Sequence, residues 1–486
     1  MKTYFSFFFI SLIAAWIITP WTRNLAIRFG VLDRPNLRKI HQGEIPRLGG
    51  VAILAATVLP FIGFLFYGNL LWEQIRLFWQ PLSGLALGSL IVFGVGLLDD
   101  RYRLSPWPKL AAEILAALVA VAFGLRIEFL IQPFGWQMDL SWLSLPLSVF
   151  WLVGITNAFN LADGLDGLAT GIATFAALIL FFMTYAGGYS VAALLAIALA
   201  GAALGFLRYN FFPATIFLGD SGSLFLGFYL GGLSLWASEK STITFALLIP
   251  IVALGLPLAD MLYAVLRRWI RGVPLKLADR EHIHHKLMDM GFAQRPTVLI
   301  LYGVNILLVI LAGVLLMTRN SLAAYILVLL GAALVIGSRV LGYFRFSRFV
   351  RHLIHRWKDL QQSKYVTFRA HWLRKAFENE RSLDDRWELA GDLWSDLGFR
   401  QVRFVPGSSQ FPALDWSATD PSEPAGRKNE LILTLSVLGG QGPIGSIEFT
   451  WLSNTPPLPA GLDKILSVMA NDFARDISLV PLTFNS

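Results

Sequence analysis

The 486-residue sequence predicts an all-α polytopic membrane protein of about eleven spans, with its N-terminus outside and a small cytoplasmic α+β domain at its C-terminal end. Three observations carry that expectation. Hydrophobic residues make up 55% of the chain against 15% charged, and mean hydropathy is +0.59, values foreign to an ordinary soluble domain. Apolar runs long enough to cross hydrocarbon as helices recur up to about residue 345. Beyond that point the composition turns basic and then mixed, as expected of a segment leaving the membrane.

The runs lie at roughly 4–20, 49–67, 82–98, 109–124, 142–159, 167–185, 190–207, 216–237, 243–265, 297–317 and 321–343. The first, Tyr4 to Thr19, lacks a small-residue cleavage site and is followed by further spans, so it reads as a retained span. Arg23, Arg28, Arg34, Arg38, Lys39 and Arg47 follow span one, Arg101 and Arg103 follow span three, and Arg267, Arg268, Arg271, Lys276, Arg280, Lys286 and Arg295 follow span nine. The alternate connections hold little more than Arg76, Arg126, Lys240 and Arg319. The positive-inside rule therefore places the rich connections in the cytoplasm and the N-terminus outside. The net charge of +8 is explained by that bias, and nucleic acid is not an expected partner.

Three regions follow: a membrane domain at 1–345, a basic juxtamembrane helical linker at 346–380, and a soluble domain at 381–486. Arg348, Arg351, His352, His355, Arg356 and Lys358 suit anionic headgroups in the linker. In the soluble domain Ser382 can cap a helix whose Ala390, Leu393, Trp394 and Leu397 share a face, stopped by Gly398. Alternation predicts strands at 401–405, 431–438 and 444–451, and Leu462, Ile465, Leu466, Met469, Phe473 and Ile477 predict a last helix. The pattern resembles a shortened GAF-type module and carries no catalytic constellation. A packing or regulatory role is expected of it.

The absence of cysteine removes disulfides, thiolate nucleophiles, zinc–thiolate sites and iron–sulfur clusters. What remains is oxygen and nitrogen chemistry, gathered on the cytoplasmic side. Asp99 and Asp100 end span three, where two adjacent carboxylates near hydrocarbon need a counter-charge; they could be a solvated helix end or a group handling a proton or a divalent cation. Asn157, Asn160, Asp163 and Asp166 recur every three residues, with Gly164 and Gly167 among them. These groups could cap two helices around a tight turn, or form an all-oxygen donor set, which suits Mg²⁺ better than zinc or copper. Gly219-Asp220-Ser221-Gly222-Ser223 reads either as a capped helix start or as a phosphate or Mg²⁺–phosphate contact. His282, His284 and His285, beside Arg280, are crowded in a way that rarely places three nitrogens tetrahedrally on zinc; they read either as a solvated basic loop or as a segment for anion and hydroxyl recognition, the reading preferred here. Asp260, within span nine, is either functional or paired with Arg267 or Arg268. The sum is a cytoplasm-facing Mg²⁺ site beside lipid, a layout that fits phosphoryl transfer between a nucleotide and a lipid.

Taken together, Asp33-Arg34-Pro35 with Arg38, Lys39 and His41, then Asp99-Asp100, the stretch Asn157 to Ala169, Gly219 to Ser223 and His282 to His285 resemble the motif set of the polyprenyl-phosphate N-acetylhexosamine-1-phosphate transferases, over roughly residues 1–345. The resemblance implies transfer of a sugar-1-phosphate from a UDP-N-acetylhexosamine to undecaprenyl phosphate at a bacterial inner membrane, with Mg²⁺, or Mn²⁺ as substitute, and release of UMP. It implies Asp99 and Asp100 as the catalytic pair, Asp220 and Asn160 as metal ligands, and Lys109 reaching the pyrophosphate. Asn157, Asp163, Asp166, Asn210, Arg280, His282, His284 and His285 are implied as nucleotide- and substrate-binding positions. The His-x-His-His form resembles the branch using UDP-GlcNAc more than the branch using UDP-MurNAc-pentapeptide, which stands as the alternative. A homodimer is compatible with the sequence and not required by it. A transporter or scaffold is the competing class, but it would carry ionisable groups through the membrane depth and on both faces. A catalytically dead relative would not keep these acidic motifs intact.

Overall fold

A computed structural model describes residues 1–33, 43–65, 73, 75–131, 137–239, 248–271 and 282–317, and beyond these 368, 371–372, 375, 383–397, 399–407, 412–418, 430–439 and 442–452. The expected span at 321–343, most of the linker, the helix at 462–477, and Arg34, Arg38, Lys39, His41 and Arg280 lie outside the described residues. The chain divides into two compact units, Met1–Arg345 and Phe346–Ser486.

The first unit is a helical bundle. Its helices are α1 (Lys2–Arg28), α2 (Gly49–Leu65), α3 (Trp79–Tyr102), α4 (Pro106–Ala122), α5 (Ser144–Ala162), α6 (Leu168–Ala186), α7 (Ser190–Asn210), α8 (Gly219–Glu239), α9 (Leu248–Ala253), α10 (Gly255–Arg271), α11 (Ile283–Asp289) and α12 (Gln294–Met317). Among the described residues, six helices are long and apolar enough to cross a membrane: α1, α3, α5, α6, α7 and α12. The expectation of about eleven spans is thus met at full length by six. Helices α2 and α4 stop at 17 residues, and α8 opens on a polar run. Span nine is broken into α9 and α10 at Leu254, where Gly255 weakens the helix and Pro257 has no N–H to return to the preceding turn.

The unit is also not purely α-helical. β1 (Leu32–Asp33) pairs antiparallel with β2 (Ile45–Pro46), and β3 (Phe129–Ile131) with β4 (Gln137–Asp139). These ladders are too short for hydrophobic periodicity to announce them.

Burial separates the helices by role. Alanine-rich α7 and its neighbour α6 are buried almost throughout, whereas α1 turns Phe5, Phe9, Ile13 and Ile17 outward. Outward apolar side chains on a long helix suit contact with lipid, where small residues and close packing hold helices together. α7 packs on α1, α2 and α6, and α8 on α2, α3, α5 and α6. Two glycines let α8 begin where it does: a Cβ on Gly50 would lie 2.3 Å from the backbone N of Gly222, and one on Gly96 2.5 Å from the Cα of Ser221. The segment before α8 is stitched in as well, with Phe217 N donating to Pro46 O at 2.8 Å, Gly49 N to Phe217 O at 3.0 Å and Gly50 N to Leu218 O at 3.0 Å.

In the second unit α13 (Leu383–Asp396) accompanies an antiparallel sheet of β5 (Gln401–Pro406), β6 (Leu414–Ser417), β7 (Glu430–Gly439) and β8 (Gly442–Leu452), ordered β6-β5-β8-β7. Trp387, Ala390 and Trp394 of α13 join Val402, Phe404, Ile447 and Phe449 in one core. The three strands expected from alternation are present, and β6 is an addition.

Candidate active site

The ends of α3, α4, α5 and α8 bring the acidic motifs together. α3 closes through Arg103, whose φ of 52° turns the chain sharply, and Asp99 Oδ1 accepts from Leu104 N at 2.6 Å. Pro106 then starts α4, a position where its missing N–H costs nothing, so Lys109 emerges in the first turn. The Nζ of Lys109 donates to Asp99 Oδ2 at 3.0 Å and makes a shorter contact to Asp220 Oδ2. The ammonium is the counter-charge that Asp99 demands, and it ties Asp99 to the carboxylate 121 positions away in sequence, at 220.

Asp99 and Asp100 have different surroundings. Asp100 is fully enclosed, its Oδ1 accepting from Asp220 N at 2.8 Å and its Oδ2 from Ser221 N at 3.1 Å and Ser221 Oγ at 2.7 Å. Those N–H groups belong to the first turn of α8 and have no partner within the helix, so Asp100 caps α8 from another helix. Gly219 makes the approach, with φ of +76° and a would-be Cβ 2.6 Å from Asp100 Oδ2. Asp100 therefore fixes Asp220, whereas Asp99 remains partly open.

Arg47 completes the network and was missing from the residues expected at the site. Its guanidinium lies 3.0 Å from Asp220 Oδ1, 3.6 Å from Asp100 Oδ1 and 3.6 Å from Asp33 Oδ1. Burial works against its charge, but Asp100, Asp220, Asp33 and Asp163 outweigh that and hold its pKa above the ordinary arginine value. The signal was the pairing of Arg47 with Gly49 and Gly50, but only the backbone bonds of residues 46–50 to 217–218 aim it. Glu113, one turn beyond Lys109 and 3% exposed, was missed too. A carboxylate inside an apolar run is a functional signal by default, and Asn157 Nδ2 donates to it and to Val153 O at 2.9 Å.

Asn160 Nδ2 donates to Ser223 Oγ at 3.0 Å, placing that amide beside the α8 start. Asp163 follows the end of α5; burial raises its pKa well above the ordinary carboxylate value, Arg47 opposes that, and Asp220, Asp100 and Asp166 add to it. Asp166 Oδ2 accepts from Ala214 N at 2.9 Å and so anchors the segment after α7. Asn210 is 2% exposed, its Oδ1 accepts from Thr170 at 2.8 Å and its Nδ2 donates to Ile216 O at 3.1 Å. With both ends of its amide engaged inside the fold, it ties α6 to the segment after α7.

The histidines form the other side. His282 and His284 are buried, with rings stacked at 5.7 Å, and His284 and His285 centroids lie 4.3 Å apart. Burial, then His285 and His282, lower the His284 pKa to about 3, against the pull of Asp260. His284 Nε2 lies against Gly164, whose Cβ would be 2.5 Å away, so glycine alone admits the ring onto the Asp163–Asp166 loop. Tyr302 on α12 closes that loop by donating to Gly167 O at 2.6 Å. The structure thus brings His284 to the motif loop, and it joins Asp99, Lys109 and Asp220 in one direct contact network.

Among the described residues no three His, Asp or Glu side chains form a ready-made metal cage. Mg²⁺ needs none, because it keeps waters and is commonly held by one or two carboxylates together with substrate phosphates. The donors at Asp220 and Asn160 are oxygen, and Lys109 and Arg47 already mark Asp220 as a place where positive charge is held. The donor chemistry fits.

Such a cluster, at one end of an apolar helix bundle, defines a membrane-embedded group-transfer enzyme that handles phosphates beside lipid. Residues 82–238 match glycosyl transferase family 4. A probable undecaprenyl-phosphate N-acetylglucosaminyl 1-phosphate transferase of Bacillus subtilis is 37% identical over 355 residues, 72% of this chain and 96% of that protein. A decaprenyl-phosphate N-acetylglucosaminephosphotransferase of Mycolicibacterium smegmatis is 35% identical over 60% of this chain and 76% of its own length. An undecaprenyl-phosphate alpha-N-acetylglucosaminyl 1-phosphate transferase of Escherichia coli K12 is 29% identical over 63% and 80%. The chain belongs to glycosyl transferase family 4, among its polyprenyl-phosphate N-acetylhexosamine-1-phosphate transferases, and is a multi-pass membrane phosphoglycosyltransferase.

Proposed function

We propose that the protein transfers GlcNAc-1-phosphate from UDP-GlcNAc to undecaprenyl phosphate on the cytoplasmic face of a bacterial plasma membrane, the first step of a lipid-linked envelope glycan. The observation that carries this reading is the convergence of Asp99 and Asp220 on Lys109, with Arg47 as a second cation. The substrates named for the relatives agree with it. The basic connections after spans one, three and nine support the cytoplasmic orientation and an outside N-terminus.

In the reaction an oxygen of the lipid phosphate attacks the sugar-bearing phosphorus of the donor. One P–O bond forms, the anhydride P–O bond breaks, and UMP leaves with the bridging oxygen, so no net proton transfer is required. Two polyanions must be brought together, and charge neutralisation with positioning supplies most of the catalysis. Asp220 and Asn160 would hold Mg²⁺, which when bound neutralises phosphate charge. Lys109 and Arg47 exchange carboxylate partners for donor phosphate oxygens. Asp99, half-open beside Lys109, orients the lipid phosphate rather than acting as a strong base, since that phosphate is already largely ionised at neutral pH. Asp163, Asp166 and the histidine segment face the donor.

Purified protein should release UMP from UDP-GlcNAc only when undecaprenyl phosphate and Mg²⁺ are both supplied. Release without lipid, or undiminished by chelator, would overturn the scheme.

A further inference from the structure

Asp260 belongs to none of the motifs above, yet it is 7% exposed and lies in α10, opposite the histidine segment. Its two oxygens are divided between one backbone and one side-chain partner. Oδ1 accepts from Ile283 N at 2.8 Å, and Oδ2 lies 3.1 Å from His282 Nδ1. A carboxylate can only accept, so the proton of a neutral His282 ring belongs on Nδ1 and the lone pair on Nε2, the nitrogen pointing away from Asp260. The same contact sets where α11 starts, and hence where His284 meets Gly164. A small cavity lined by Ala162, Leu168, Leu256, Asp260 and His284 shows α5, α6 and α10 meeting at this point.

We propose that Asp260 is a positioning residue of the transferase: it selects the Nδ1–H form of His282 and docks the His282–His285 segment onto the Asp163–Gly167 loop. The functional half of this inference rests on the donor-facing role proposed for that segment. A carboxylate that merely stabilised the fold would be replaceable by an amide of the same shape. Asparagine keeps an oxygen for Ile283 N–H, but presents its Nδ2 hydrogens to His282 Nδ1, which must then accept, moving the ring proton to Nε2. The shape survives and the tautomer inverts.

The test is Asp260→Asn with two readouts on the full-length protein in detergent. The chain has only seven histidines, so ¹⁵N-histidine labelling with His282→Gln as the assignment control resolves the ring. At about pH 8, where ordinary imidazoles are neutral, the wild type is expected to be protonated at Nδ1 and Asp260→Asn at Nε2. UMP release should fall by about 10- to 100-fold, taking the scale known for carboxylates behind metal-ligating histidines, with the melting temperature nearly unchanged. Wild-type kinetics in Asp260→Asn, or a wild-type ring protonated at Nε2, would overturn the proposal. Should the wild type release no UMP from any UDP-N-acetylhexosamine, the proposed function falls, while the ligand-free spectra still decide whether Asp260 sets the tautomer.

Discussion

At the junction of α3, α4 and α8, Asp99, Asp100 and Asp220 are threaded by Lys109 and Arg47, whereas at the junction of α10 and α11 one carboxylate meets the first of two stacked, buried imidazoles. The first region holds charge in compensated form, two cations against three carboxylates. In the second, burial keeps the His284 ring from taking up a proton, and the bonds of Asp260 to Ile283 N and His282 fix the geometry. In the function proposed above, joining two polyanions falls to the first region, and donor recognition to the second. The two regions should therefore fail differently when altered.

Lys109→Met should lower kcat by about 10²–10³-fold, the scale of removing one preorganised electrostatic group. Lys109→Arg should recover part of that rate, and an unchanged rate in Lys109→Met would reduce the lysine to a structural ion pair. Asp100→Asn should show mainly in stability: replacing an acceptor buried among Ser221 and the α8 N–H groups costs about 1–3 kcal/mol, read as a lower melting temperature. A large loss of kcat in Asp100→Asn at an unchanged melting temperature would make Asp100 a partner of Asp99 rather than a cap.

How much of this was legible beforehand depends on whether a feature is local. Helix positions followed from runs of apolar residues, and Asp99, Lys109, Asp220 and the 157–169 stretch stood out because charge beside hydrocarbon needs a reason. Three of the strands described in the second unit followed from alternation, and β6 did not. Arg47 could not be placed, since its aim depends on residues 46–50 bonding to 217–218 across the bundle. The inward turn of Asn210 required knowing that Thr170 lies beside it, and the choice of His282 by Asp260, rather than Arg267 or Arg268, required the path of the chain between α10 and α11. Glu113 is the instructive case, because its signal was local and was overlooked within a run counted only as apolar.

The histidine region shows itself in acid. The His284 pKa lies at about 3 against an ordinary 6.5, so the folded protein refuses a proton that the unfolded chain accepts. Stability is complete above pH 6.5 and declines as pH falls from 6.5 toward 3, by up to about 1.4 kcal/mol per pH unit for one group. Thermal denaturation of His284→Gln should be less sensitive to acid than that of the wild type across that window, and equal sensitivity would show that His284 is not held neutral.

The most direct measurement is UMP release by Asp220→Asn across a Mg²⁺ titration, with UDP-GlcNAc and undecaprenyl phosphate saturating. If the charged junction is the reacting centre, turnover stays at least about 10²–10³-fold below wild type at every ordinary Mg²⁺ concentration. Wild-type turnover in Asp220→Asn would place the chemistry elsewhere.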